Sequence, residues 1–266
     1  MTTKEILTTD NDFFSSSMDN GILVVREKQH ILHLTQDLKD IFSFYDYLDS
    51  VLSSKSYRAF VLFARSEQSG HIEQSRFLSK ILSDNLPGKL GKELDRFVNV
   101  VNRLFVTLST LNRITVFAGR GITPLFYLNI GLAHDYRFVA EDSVFENLNS
   151  EMGLITKGSG YFLPRLLGIR KATEVLQWKS FSAEDALQLG LVDRVVPVSK
   201  LEEETMRFVQ RELALSSSML GIRKLLKCDL KELERSLDLE DNLIKERLNS
   251  VEFRELFATN RKKSVS

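Results

Sequence analysis

The chain has 266 residues and carries no net charge, with 36 Lys+Arg against 36 Asp+Glu. That balance excludes nucleic acid as the main partner, because phosphate binding favours a basic excess, but it leaves room for a local basic pocket. Hydrophobic residues at 43% and charged residues at 27% describe an ordinary globular protein with enough chain for a large core. The lone cysteine, Cys228, lies among Leu225, Leu226 and Leu230 and reads as a buried structural thiol, with no partner for a disulfide or a Cys-rich metal site. The first residues lack a basic start followed by an apolar run, and no stretch reaches the roughly 18 apolar residues of a membrane span. A cytoplasmic protein is the expectation.

Residues 1–18 are polar and rich in Ser and Thr, and read as a frayed tail or an edge. From Gly21, ILVVREKQHILHLT reads as two short strands around the polar EKQ, a hairpin. Leu38, Ile41, Phe42, Tyr45, Leu48 and Leu52 have helical spacing over 36–54. RAFVLFA (58–64) is a short apolar run of strand type, followed by the polar loop RSEQSGHIEQ. Helical spacing returns over 92–111 through Leu94, Phe97, Val98, Val101, Leu104, Phe105 and Leu108. ITVFAG (114–119) is a strand ending in glycine, and PLFYLNIGLAH (124–134) a buried helix with Pro124 in its first turn. YRFVA (136–140) is another strand. The alternation predicts an α/β fold with parallel pairing. Beyond residue 198 the chain turns charged, amphipathic and helical through Phe257, and must pack its apolar stripe on the main domain or on another subunit.

His30 and His33, three apart in a strand pair, point to opposite faces and form no shared metal site. His134 reads as structural. GRGITP (119–124) lacks the third glycine of a dinucleotide fingerprint, and KGSG (157–160) lacks the Gly-Lys-Ser/Thr of a phosphate loop. No serine stands near the start of the helix at 124–130 to serve as a nucleophile.

Three segments carry a family resemblance. They are ITVFAGRG followed by ITPLFYLNIGLA and HDYRFVAEDSVF, then GLITKGSGYFLPRLLG (153–168), then FSAEDALQLGLVDRVVP (181–197). The last matches ISAxEAxxxGLVDxVVP at nearly every position and is the most specific of the three. On these segments the chain resembles the crotonase (enoyl-CoA hydratase/isomerase) superfamily, closely over 114–197 and more weakly elsewhere. The N-terminal third lacks the family's Arg-Pro and Asn-Ala-Leu signature.

The resemblance implies a ββα spiral core over 1–197 and a C-terminal helical region over 198–266 that packs subunits into a homotrimer or a dimer of trimers. It implies an acyl-CoA thioester as ligand, with coenzyme A as part of the substrate and no permanently bound cofactor or metal. Two backbone N–H groups would hold the thioester oxygen, each such preorganised donor contributing roughly 2.7–4 kcal/mol. The first maps to Ser69, with Gly70 making the turn. The second maps to Phe126, where bulky Leu125, Phe126 and Tyr127 replace a glycine-rich triplet.

The positions of the two hydratase glutamates, six residues before Asp135 and four before Gly153, hold Asn129 and Asn149. A carboxamide hydrogen-bonds but exchanges no proton near neutral pH, and loss of each general acid/base costs about 10²–10⁴ in rate. Glu146 and Glu151 stand nearby and are expected to face elsewhere. His71 stands where family members that decarboxylate malonyl-type esters carry a histidine; it either orients a carboxylate or donates to the enolate, or is a loop histidine without a role. Arg26, Arg65 and the C-terminal lysines are candidates for the CoA phosphates. The expected function is an acyl-CoA enzyme other than a two-glutamate hydratase: a decarboxylase, a hydrolase or an atypical hydratase/isomerase. The alternatives are a non-catalytic acyl-CoA-binding or assembly subunit, and an oligomeric scaffold with a blocked pocket.

Overall fold

A tight turn opens the fold. Asn20 and Gly21 both take positive φ (49° and 81°), the conformation of a two-residue hairpin loop that an Asn-Gly pair adopts with little strain. It joins β2 (Phe14–Asp19) to β3 (Ile22–Glu27), with the two-residue β1 (Thr9–Asp10) on the outer edge. The hairpin therefore lies one strand earlier than the sequence reading placed it. The segment expected to be a tail or an edge supplies its first arm. The computed structural model describes residues 7–28, 46–48, 50–52, 54–64, 78, 92–214 and 229–263. The expected strand after EKQ, with His30 and His33, lies outside them, as does Cys228.

The main sheet has seven strands in the order β1-β2-β3-β4-β5-β7-β10, adding β4 (Ala59–Phe63), β5 (Ile114–Gly119), β7 (Tyr136–Ala140) and β10 (Arg194–Val196). From β3 to β10 every pairing is parallel. Both faces of these strands are covered, so they read as continuous apolar runs whose side chains alternate between two cores. Phe60, Leu62 and Phe117 face one core with Phe105 and Leu128. Ala59, Val61, Val116 and Ala118 face the other, under Phe208 and Val209 of a C-terminal helix, α5 (Leu201–Ala214). Each fully buried Leu, Val or Phe contributes about 1.5–3 kcal/mol.

On the first face lie α1 (Lys92–Thr110) and the short buried α2 (Leu125–Leu132), which follows β6 (Ile122–Pro124). Pro124 is the N-cap of α2, one position earlier than expected, with φ −61° and ψ 144°. A second sheet of three-residue strands, β6-β8-β9, brings in β8 (Val144–Glu146) and β9 (Ser180–Ser182). Between them runs α3 (Ser159–Val175), and after them α4 (Ala183–Gln188). The chain closes with α6 (Leu230–Asn249) and α7 (Val251–Lys263). Leu233 and Leu237 of α6 join the main core, while Ile244 and Leu248 pack with Val98 and Phe253. Residues 46–48 and 50–52 are helical, as their spacing predicted, with Leu48, Val51 and Leu52 buried.

The register aligns Arg26, Phe63 and Ala118, so β3, β4 and β5 end at one edge of the sheet. The sequence that follows β4 contains Arg65, Ser69, Gly70 and His71, all outside the described residues. The loop leaving β5 there leads into α2.

Candidate functional site

Helix α2 is apolar on all sides, and its one polar residue, Asn129, has no solvent exposure. The Asn129 Nδ2 donates to the Lys157 carbonyl and to Ser159 Oγ, both at 2.8 Å. A carbonyl only accepts, so this pairing fixes which way the carboxamide points. Its Oδ1 is buried and meets no donor among the described residues.

Asn149, half-buried before the 3₁₀ turn Ser150–Met152, donates from Nδ2 to Thr156 Oγ1 at 3.0 Å. A longer bond of 3.5 Å reaches the Ile155 carbonyl. The two positions thus converge on one loop, Ile155–Ser159, from opposite ends. Both carboxamides use their N–H groups to hold it.

Phe126 is the second residue of α2, and the N–H groups of a first turn have no intrahelical acceptor. The Pro124 side chain cannot cap them. The Phe126 side chain is half-buried, its ring centroid 6.2 Å from that of Phe97 on α1. Tyr127 turns inward instead. Its ring meets Phe117 edge-on at 5.6 Å, and its hydroxyl donates to the buried Glu27 carboxylate at the end of β3. This pair ties the start of α2 to the sheet edge. Sequence reading missed it, since 100 positions separate the partners.

The loop is anchored from its other side by an ionic cluster that sequence reading also missed. The Lys157 ammonium, 4% exposed, donates to Asp241 Oδ1 at 2.6 Å and to the Leu237 carbonyl at 2.8 Å, and lies 3.6 Å from Glu240 Oε2. Glu240 spans the start of α3: Oε2 accepts from the Gly158 N–H and Oε1 from the Gly160 N–H, both at 2.7 Å. Asp241 accepts a further bond from Asn102 Nδ2 of α1 at 2.7 Å. Burial pushes the Glu240 carboxyl up, against the pull of Lys157 and the two amides. One ammonium faces two carboxylates, and the positive end of α3 supplies the balance. The signal for the cluster was in the sequence: Glu240 interrupts the apolar series Leu233, Leu237, Ile244, Leu248 on the inward side of α6.

The close fit needs both glycines. Gly158 has φ 84°, and a Cβ there would stand 2.8 Å from the Phe105 ring and 3.2 Å from the Asn129 Cβ. At Gly160 a Cβ would meet Glu240 Oε1 at 3.0 Å.

Two further candidates, His134 and Arg26, have structural partners. His134 Nδ1 bonds the Ile130 carbonyl at 2.9 Å, and its ring stacks on Phe60. Arg26 pairs with Glu202 and lies over Phe63. Among the described residues, no three or more His, Cys, Asp or Glu are grouped to hold a metal, and no helix is long and apolar enough to cross a membrane.

Fold and site define an α/β protein in which a buried helix and a glycine-rich loop meet at the carboxyl edge of a parallel sheet. The chain belongs to the enoyl-CoA hydratase/isomerase family, whose sequence model matches residues 88–263. The crotonase resemblance and its fold class are thereby borne out. Enoyl-CoA hydratase from Bacillus halodurans superposes with a TM-score of 0.77 at 18% identity, over 93% of this chain and 99% of that one. A putative enoyl-CoA hydratase/isomerase from Acinetobacter baumannii gives 0.73 at 21% identity, over 94% and 99%. The alpha subunit of a fatty acid oxidation complex from Pseudomonas syringae pv. syringae (strain B728a) is 36% identical over 115 residues, which are 42% of this chain and 16% of that subunit. The chain thus matches about a sixth of the length of that curated relative.

Proposed function

We propose that the protein binds an acyl-CoA thioester at the carboxyl edge of the sheet and polarises its carbonyl with main-chain amides, without two-carboxylate acid/base chemistry. The observation that carries this reading is the state of Asn129 and Asn149. Both are carboxamides, and both spend their N–H groups on the loop Ile155–Ser159. Neither can pass a proton to water or substrate. The first turn of α2, with Phe126 second in it, supplies one amide donor. Ser69, with Gly70 forming the turn, supplies the other from the loop after β4. His71, in that same loop, is the remaining titratable candidate, and it favours decarboxylation or hydrolysis of the thioester over hydration. The names of the relatives support a fatty acyl chain as the acyl group. Coenzyme A is part of the substrate, and no permanent cofactor is needed. A homotrimer or dimer of trimers is supported by apolar side chains on the outside of α6 and α7, namely Leu239, Leu243 and Val251.

The test is turnover of purified protein on acyl-, malonyl- and enoyl-CoA esters, with His71→Ala beside the parent. Turnover of a malonyl or saturated ester that falls in His71→Ala is the expected result. Rapid hydration of an enoyl ester would overturn the reading.

A second reading, a non-catalytic acyl-CoA-binding or assembly subunit, is favoured by the packing of Phe126 against Phe97 beside the amide donors. Coenzyme A binding seen by calorimetry, with no ester of the panel turned over, would decide for it.

A further inference from the structure

We infer that the turn Lys157-Gly158-Ser159-Gly160 is a receptor for a carboxylate, that its resident ligand is the side chain of Glu240, and that this occupancy positions the Asn129 carboxamide. Three features build the receptor. Two main-chain N–H groups, at Gly158 and Gly160, each donate at 2.7 Å to a different oxygen of one carboxylate. A buried ammonium, Lys157 Nζ, stands 3.6 Å from the same group. The glycine at 160 leaves room for the carboxylate, since a Cβ would press on Oε1 at 3.0 Å. Charge-assisted bonds of this length are about twice as strong as neutral ones.

The positioning runs through the backbone. Glu240 fixes the N–H of Gly158, whose neighbours Lys157 and Ser159 offer the two acceptors for Asn129 Nδ2. A residue of the C-terminal region thereby sets a side chain of α2 through the backbone of the turn between them. Glu240 is a positioning residue in this scheme, and the bearing of that role on chemistry rests on the thioester reading above. The receptor itself does not depend on that reading.

The test uses the full chain labelled with ¹⁵N-glycine, in which Gly158 is the only glycine that follows a lysine. In the parent, the Gly158 and Gly160 amide protons are expected downfield of the other glycine amides; ordinary positions would overturn the receptor. In Glu240→Ala both resonances are expected to lose that shift, and added sodium formate to restore it saturably. The midpoint should be no tighter than about 0.5 mM, the bound for a ligand of three heavy atoms. Formate should leave the parent unchanged, and sodium chloride should restore nothing. A folded Glu240→Ala whose two amides ignore formate would overturn the receptor. Glu240→Gln, which keeps the shape and one acceptor, covers the case in which the alanine variant does not fold: one amide is expected to keep its shift, and loss of neither would sink the proposal. Acetyl-CoA affinity, measured on the same samples, separates the two claims. A fall in Glu240→Ala that formate reverses supports the positioning role, and an affinity unmoved by either overturns it. If the parent binds no acetyl-CoA, the thioester reading fails while the glycine resonances still decide the receptor.

Discussion

At Asn129 a single nitrogen decides between two kinds of site. The residue is fully buried, and both hydrogens on Nδ2 are used. Replacing that nitrogen with oxygen, in Asn129→Asp, faces a new acceptor toward the Lys157 carbonyl and strands it. An unsatisfied buried polar group costs about 1–3 kcal/mol, so the urea midpoint of Asn129→Asp should fall accordingly. An unchanged midpoint would show that the loop is not held this way. A second residue makes a prediction in pH. Burial pushes the Tyr47 phenol from 10.0 up to about 12, with Ser16 pulling the other way, and burial raises Tyr57 against Arg113. A raised value in the fold means that the unfolded chain loses its proton first. The stabilising contribution of Tyr47 is therefore whole below pH 10.0 and drains away as the pH climbs toward about 12. Melting temperatures across that window should drop more steeply for the parent than for Tyr47→Phe, and parallel curves would refute the assignment.

Among the elements, the segment that carried the family resemblance turns out to be a set of local physical devices. Ser182 and Asp185 form a reciprocal capping box that starts α4. Val195 and Val196 continue the parallel sheet beside Val139 and Ala140. Asp193 receives the Arg137 main-chain N–H at 2.7 Å and its guanidinium at 3.0 Å, stitching β10 to β7. Arg137 is 9% exposed, and its charge is held in place against desolvation chiefly by Asp193. Asp193→Ala strands that guanidinium and should cost about 3 kcal/mol in denaturant unfolding. The guanidinium also donates to the carbonyls of Leu191 and His134, at 3.1 and 3.3 Å, and a loss near zero would mean that these suffice. The capping box is legible in a sequence because its partners sit three positions apart, whereas the Arg137–Asp193 bond spans 56 positions and only the motif around Asp193 points to it. The central strands were legible as unbroken apolar runs, and α1 because its helical period repeats several times. The three-residue strands β6, β8 and β9 were not, because three residues carry no period. The Asn-Gly hairpin was legible in principle, but the Ser-rich run before it masked the strand. At the site, Asn129 and Asn149 could be placed by counting from Asp135 and Gly153. Lys157 and Glu240 could not be paired, because nothing local joins positions that far apart.

For the molecule as a whole, the buried cluster makes α6 part of the main body. Lys157→Met would leave Glu240 and Asp241 enclosed without their cation, and breaking such a pair costs about 3–5 kcal/mol. The single tryptophan, Trp178, borders β9, whereas far-ultraviolet dichroism is weighted toward the helices. Urea unfolding followed by both signals should give one coincident transition in the parent, shifted as a unit in Lys157→Met. Separate midpoints in the parent would show that α6 detaches from the sheet. The bond from Gly158 to Glu240 also spans 82 positions of chain. During synthesis the N-terminal part emerges first and begins to fold as it appears. The glycine turn therefore waits, with its amides facing water, until the ribosome has released α6, and the acceptors that hold the Asn129 carboxamide are set only after most of the chain has been made.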